Sequence, residues 1–459
     1  MATTSGEVKF IDVTLRDGNQ SLWGAAGLNN EMIESMLPFE EKAGLKAVDL
    51  LASIHMGMSV RYFKENPWER IRIARRILKK TPFSFGTTGR RFIGFRWMPD
   101  SIMELVYKCM AANGMSRAWI SEASHDIEVI HRNAAQAKKA GIDEFVVALC
   151  YTISPVHTDE YYAQKAREVV ASPNVDTVYL KDQGGLLTPE RIKTLIPTIR
   201  ANIGNLNFEF HSHCSTALAP ICYVDAVKMG VKVLHTAVPP LANSSSLPNI
   251  FNILKNIRYL GYEANVDEEA LDAMSKMLAG FAEKQGREGG AIAEYDVSYY
   301  EHQLPGGMVS TMRRQLQEMK MEHRWGEIVE EVARVRKELG YPIMVTPLSQ
   351  FVGTQSTMNV ISGTRYKQVP EGVMQYAAGW FGKPTVPIDP NVLDKIASLP
   401  KAKQFFNQEF PQKSIEELRR EIGAGPGVSD EEFLLRYSMS DKEVDEMLAA
   451  SSGRAAQAG

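Results

Sequence analysis

The chain has 459 residues, 44% of them hydrophobic and 23% charged, with a formal net charge of −3. Those proportions suit a folded chain with one large unit and a smaller one, and the intermixed, near-neutral charge leaves no basic footprint for nucleic acid. Four cysteines (Cys109, Cys150, Cys214, Cys222) with no CxxC pair exclude a disulfide framework and fit a reducing compartment.

From its first residues, "MATTSGEVKFID", the chain shows no charged start followed by an apolar run of signal-peptide type. No later uncharged stretch reaches membrane-spanning length, so a cytoplasmic protein is the expectation. Short β-branched and aromatic runs then recur: "VKFIDVTL", "AVDLLAS", "PFSFGTT", "RAWISEAS", "FVVALCYT", "DTVYLKD", "NFEFHSH" and "VKVLHTAV". Between them lie segments such as "NEMIESMLPFEEKAG", "WERIRIARRILKK" and "PERIKTLIPTIRANIG", whose apolar residues fall three and four apart. Strand–helix units repeated eight times over about 250 residues are the rhythm of a (β/α)8 TIM-type barrel, class α/β. The rival is a doubly wound open sheet, but no GxGxxG follows the first run. The barrel is assigned to residues 1–300.

Beyond that point the pattern turns mostly helical, as in "STMRRQLQEM", "RWGEIVEEVARVRKELG" and "GVMQYAAGWFG". Three later segments open with capping boxes: Ser414 with Glu417, Ser429 with Glu432, and Ser440 with Glu443. Residues 301–450 are expected to form a mostly helical C-terminal domain, and 451–459, "SSGRAAQAG", a disordered tail.

In such a barrel the functional groups sit at the C-terminal strand ends and in the loops that follow. "TLRDGNQ" offers Arg16, Asp17 and Gln20; "YLKD" offers Lys181 and Asp182; "FHSHC" offers His211 and His213. Residues i and i+2 of a strand share a face, so both imidazoles can converge on one point. With a carboxylate from another strand they make a divalent-metal site; a hydrogen-bonded histidine pair is the alternative for HxH alone. Cys214, turned away by the alternation, reads as packing. Lys181 is harder to place, because an ammonium aimed at a metal is repelled by it. Either it pairs with Asp182 or another carboxylate at the mouth, or its amine has taken up CO2 and become an anionic carbamate ligand.

The blocks "LRDGNQSL", "LKDQGGLLTP", "HSHCST" and "HQLPGGMVS" resemble the signature blocks of the biotin-dependent carboxyltransferases. That family includes the carboxyltransferase domain of pyruvate carboxylase, the alpha subunit of oxaloacetate decarboxylase and the matching transcarboxylase subunit. The resemblance continues into "VRKELGYPIMVTPLSQFVGTQ" and "GKPTVPIDP", and so runs through nearly all of the chain. It implies a divalent metal (zinc, with manganese or cobalt as alternatives) held by Asp17, carbamylated Lys181 (N6-carboxylysine), His211 and His213. It implies that Arg16 and Gln20 hold the keto substrate, and that Ser310 stands where the family has a hydroxyl residue shuttling a proton between biotin and substrate. Carboxybiotin would arrive on a separate biotin carboxyl carrier protein loaded by a biotin carboxylase subunit, and relatives commonly form dimers or larger complexes.

The chemistry is coherent on physical grounds. Removing a proton beside a carbonyl makes an enolate, which fixed positive charge from a Lewis acid and Arg16 stabilises. A neutral hydroxyl such as that of Ser310 can relay a proton, although a helix N-cap ahead of "TMRRQL" is its other reading. Gly306 and Gly307 would let backbone approach a ligand closely.

The departures from the family pattern concern the acceptor. Pyruvate-using members carry an RGxNxxGY block whose arginine grips the substrate carboxylate. The aligned "TGRRFIGF" puts Thr88 and Phe95 at the arginine and tyrosine positions, with Arg90 or Arg91 as the candidate replacements. Members with a GGATFD block have an aspartate where "ASIHMGM" has Gly57. The expected acceptor is therefore a small enolisable molecule: a 2-oxo acid such as pyruvate or oxaloacetate or, given the altered pocket, another. Met319–Lys320–Met321 spells the core of a biotinylation site, but its helical setting argues against attachment at Lys320. The alternative function is a metal-dependent carbon–carbon lyase or condensing enzyme of the hydroxymethylglutaryl-CoA lyase type. Those enzymes share the LRDG and HxH blocks but have Asp-Thr where this chain has Lys181–Asp182. A non-catalytic assembly subunit is a third reading, opposed by retention of all the candidate ligands.

Overall fold

A computed structural model describes residues 6–94 and 96–458, with the side chains of 310, 311 and 452–458 outside the description. Its centre is a closed parallel barrel whose strands follow one another in sequence order. They are β1 (Lys9–Asp12), β2 (Ala47–Ala52), β3 (Phe83–Thr87), β4 (Arg117–Ile120), β5 (Glu144–Cys150), β6 (Thr177–Asp182), β7 (Asn207–Ser212) and β8 (Val233–Thr236). Each coincides with one of the expected runs. Parallel neighbours need a crossover, and the amphipathic segments supply it as helices on the outside. The TIM-type barrel is therefore the architecture.

Register decides which side chains meet. Lys181 pairs with Cys150 on one side and with His211 on the other. Partnered residues in a parallel sheet project to the same face, so these three side chains all turn into the barrel. The opposite face carries Phe10, Val48, Leu50, Phe85, Val147, Leu149, Val178, Leu180 and Phe210 into one large apolar cluster with the surrounding helices. Cys214 belongs to this cluster, as its place in the alternation predicts.

The barrel interior departs from the usual apolar layers. Arg117 donates to both oxygens of Glu209 at 2.8 and 2.7 Å and to Glu144 at 2.9 Å. Lys46 reaches Glu209 at 2.6 Å and Glu144 at 3.3 Å. These buried charges are tolerable because each is paired.

The helical region divides between two faces of the barrel. Helices Gly306–Glu318, Trp325–Glu338, Leu348–Ser362 and Glu371–Ala377 build a second cluster that is continuous with Trp119, Ala148, Cys150 and Tyr179 of the barrel interior. Helices Ile415–Glu421, Asp430–Ser438 and Asp441–Ala458 return to the outer wall, where Leu418, Phe433, Leu434 and Met447 join the first cluster. Arg72–Glu431 (3.0 Å) and Arg61–Glu443 (2.8 Å) tie them down. Ser414 and Ser440 make their capping boxes with Glu417 and Glu443, while Ser429 accepts from the Glu432 amide. Residues 451–458, expected as a disordered tail, continue the last helix, in keeping with the high helix propensity of their alanines. Among the described residues, no helix is long and apolar enough to cross a membrane.

Candidate active site

Beyond β1 the chain makes a single π-helical turn, Thr14–Gly18, that carries Arg16 and Asp17 at the barrel mouth. Gly18 is required there, because a Cβ would lie 2.6 Å from the Leu241 carbonyl oxygen. Asp17 Oδ1 accepts from the Ser21 hydroxyl at 3.0 Å. Its Oδ2 faces His211 Nε2 at 3.3 Å and His213 Nε2 at 3.6 Å, and those two nitrogens stand 3.1 Å apart. All three residues are buried. The other ring nitrogen of His213, Nδ1, donates to the Ser245 carbonyl at 2.6 Å, which leaves Nε2 as a bare lone pair turned to Asp17. A lone pair and a carboxylate oxygen converging in a buried site fit a divalent cation, and two imidazoles with one carboxylate are a donor set of that kind.

Positive charge frames this cluster. Arg16 donates to Asp49 at 2.6 Å and pairs with Asp17 at 2.8 Å. Burial opposes the guanidinium's charge, but Asp17 and Asp49 outweigh it and push its pKa up. Burial alone would raise the Asp17 carboxyl; the Arg16 guanidinium instead holds it well below the usual carboxylate range. Lys181 is buried in the same interior, and its Nζ lies 4.7 Å from the centre of the Trp119 ring, as does the Arg16 guanidinium carbon. Burial, reinforced by Arg16, lowers the pKa of Lys181 and so favours its neutral, nucleophilic amine. Trp119 donates its indole N–H to Asp49 Oδ1 at 2.9 Å and lies across Gly86, where any Cβ would clash.

The pairing of Lys181 with Asp182 is not what the structure makes. Asp182 turns to its own loop, accepting from the amides of Leu186 and Leu187 at 2.8 Å each and from the Ser212 hydroxyl at 2.7 Å. Adjacent strand residues face opposite sides of the sheet, which separates the two charges.

The acceptor-side candidates are dispersed. Arg90 pairs with Asp126. Arg91 donates to the Trp380 carbonyl at 2.8 Å and stacks on Phe381 at 3.9 Å, where burial lowers its pKa to about 9. None of these contacts reaches Asp17, His211 or His213. Gly57 lies in the helix Ser53–Met58, and a Cβ there would meet Ile93 at 3.2 Å, so this position is occupied by packing. Thr88 follows β3 and is half-buried, and Gln20 lies on the short helix Asn19–Trp23, beside Ser21. Phe95 is outside the described residues, as is the side chain of Ser310. The backbone at 310 lies inside the helix Gly306–Glu318, whose N-cap is Pro305, so Ser310 is not the N-cap. Gly306 abuts Ser245, in the segment that holds His213, where a Cβ would lie 2.5 Å from the Ser245 Cβ, and Gly307 lies beside the Ser21 carbonyl, where the contact would be a tight 3.2 Å. Lys320 sits in the turn after that helix with φ +59°, not within a helix as its sequence setting suggested.

Residues 299–457 match a conserved carboxylase domain. Over 393 residues the chain is 33% identical to a pyruvate carboxylase subunit of Methanocaldococcus jannaschii, covering 85% of this chain and 68% of that one. The chain belongs to the biotin-dependent carboxyltransferases. It is also 28% identical over 452 residues to the "2-oxoglutarate carboxylase large subunit" of Hydrogenobacter thermophilus, covering 97% of this chain and 68% of that one. The fold of this carboxyltransferase is that of the carboxyl transferase domain of Rhizobium etli pyruvate carboxylase solved with pyruvate. The TM-score is 0.88 at 22% identity, over 98% of this chain and 78% of that one. The lyase alternative is not favoured, since these relatives are carboxyltransferase subunits of biotin-dependent carboxylases.

Three parts of the site were not read from the sequence: Trp119 beneath Arg16 and Lys181, Asp49 bridging Arg16 to Trp119, and Ser21 on Asp17. Strand parity places Trp119 and Asp49 inside the barrel, but only closure shows what they touch.

Proposed function

We propose that this carboxyltransferase moves CO2 between carboxybiotin, brought by a separate biotin carboxyl carrier protein, and a small enolisable acceptor at the barrel mouth. The observation that supports it is the convergence of Asp17, His211 and His213 beside Arg16 and Lys181. Asp17, His211 and His213 would hold a divalent metal, with Lys181 as a fourth ligand once its amine carries CO2 as a carbamate. Such an ion, when bound, supplies Lewis-acid stabilisation to an oxygen of the acceptor.

Arg16 adds fixed positive charge where enolate charge develops, and Gln20 orients the keto group. Ser310 is assigned the proton relay between biotin and acceptor. With Thr88 and Gly57 at two family positions, and Arg90 and Arg91 engaged elsewhere, the acceptor is read as different from pyruvate or held differently. The reading includes a biotin carboxylase subunit as partner, a homodimer or larger complex, and a cytoplasmic location.

The test is carboxyl exchange between carboxylated carrier and a panel of 2-oxo acids and acyl-CoA thioesters, with metal content measured in parallel. Biotin-dependent turnover of one acceptor, lost in His211→Ala together with the metal, is expected. Equal turnover by His211→Ala, or turnover without biotin, overturns it.

A further inference from the structure

We infer that His235, backed by Glu209, is a positioning residue: it holds the His211 imidazole in the Nδ1–H form and so aims the bare Nε2 at the metal position. This rests on the metal reading above.

The argument starts at the floor of the barrel. Glu209 is fully buried and receives Lys46 at 2.6 Å, Arg117 at 2.8 and 2.7 Å, and His235 Nε2 at 2.9 Å. A carboxylate surrounded by cations only accepts, so the hydrogen between it and His235 sits on His235 Nε2. One hydrogen separates the two Nδ1 atoms, and an imidazole that offers Nε2 to a metal carries its own hydrogen on Nδ1. That hydrogen is then carried by His211, and the Nδ1 of His235 is its acceptor. His211 Nδ1 lies 3.1 Å from that atom and must donate to it. The lone pair of His211 then falls on Nε2, the atom facing Asp17 and His213.

His235 cannot easily rotate out of this role. Its ring stacks on Tyr179, with centroids 5.2 Å apart and planes at 24°, and its carbonyl accepts from the Tyr223 hydroxyl at 2.6 Å. A partner on the far nitrogen of a metal-bound histidine fixes tautomer and orientation, and its loss weakens binding roughly 10–100-fold.

The experiment compares zinc affinity, by chelator competition, in the unsubstituted protein, His235→Leu and His235→Asn. Leucine removes both hydrogen bonds, whereas asparagine can accept from His211 through its oxygen and donate to Glu209 through its nitrogen. Roughly 10–100-fold weaker zinc binding by the leucine variant is expected, with the asparagine variant recovering most of it and melting temperatures confirming both folds. Equal affinity in a folded leucine variant overturns the inference while leaving the metal site standing. No zinc uptake by the unsubstituted protein overturns the metal reading and this inference together. A measurement free of variant folding is the 15N spectrum of histidine-labelled, metal-free protein, with His211 assigned by its loss in His211→Gln. The Nδ1–H form supports the inference, and the Nε2–H form overturns it.

Discussion

The Nζ of Lys181 stands 4.7 Å from the centre of the Trp119 indole, and that face stands in for the carboxylate a buried lysine ordinarily needs. Among the described residues no carboxylate pairs with this amine, so it can lose its proton without breaking an ion pair. The amine is then free to take up CO2.

Intact mass spectrometry of the native protein should show one added CO2, absent from Lys181→Ala. That variant should lose biotin-dependent transfer by roughly 10²–10³-fold or more, the scale of removing one stabilising group from an oxyanion site. A fully active Lys181→Ala would remove Lys181 from the chemistry.

Gly86 makes room for the indole: an added Cβ would lie 2.0 Å from Trp119 Cζ2. Gly86→Ala should displace the ring from beneath Arg16 and Lys181, destabilising the barrel by about 1–3 kcal/mol. Transfer should fall more than stability alone explains. Thermal melts and turnover at a temperature where the variant is folded separate the two effects; unchanged turnover would show that the indole is only filler.

Arg90 and Arg91 answer to Asp126 and to the Trp380–Phe381 segment of the helical region. Arg91→Ala should lower stability by about 1–3 kcal/mol through the lost hydrogen bond and stacking. The KM of the acceptor should move by less than about threefold in either alanine variant, since neither contact reaches Asp17, His211 or His213. A large rise in KM at unchanged kcat would make one of them the carboxylate anchor after all.

Glu40 and Asp12 form a buried pair of carboxyls in the layer between barrel and helices. Among the described residues neither Glu40 oxygen has a donor partner, while Asp12 accepts from the amide and hydroxyl of Thr14. Burial and then the charge of Asp12 raise Glu40 well above its ordinary value, and burial raises Asp12 to about 6. Both folded values lie above the unfolded ones. Their favourable contribution is therefore complete below the ordinary carboxyl range and is lost as pH rises through and beyond about 6. Glu40→Gln, which keeps a donor at all pH values, should raise the melting temperature near pH 8 and leave it nearly unchanged near pH 4. A variant less stable at the alkaline end would contradict the raised titration of Glu40.

How much of this was legible in the chain follows from distance along it. The short β-branched and aromatic runs marked each strand, and the i, i+2 spacing of His211 and His213 put both rings on one face, because these are properties of neighbouring residues. Arg16 and Asp17 were equally visible as the end of the first run. What those groups touch was settled only by closing the barrel. Closure laid Trp119 of β4 under Lys181 of β6 and Arg16 of the turn after β1, and it brought Glu209 between Lys46 and Arg117. It also let the distant 380–381 segment claim Arg91, which the sequence alone had offered to an acceptor. Local pattern determines which face a side chain takes. Which charge neutralises which is determined by residues far apart in the chain, brought together when the barrel closes.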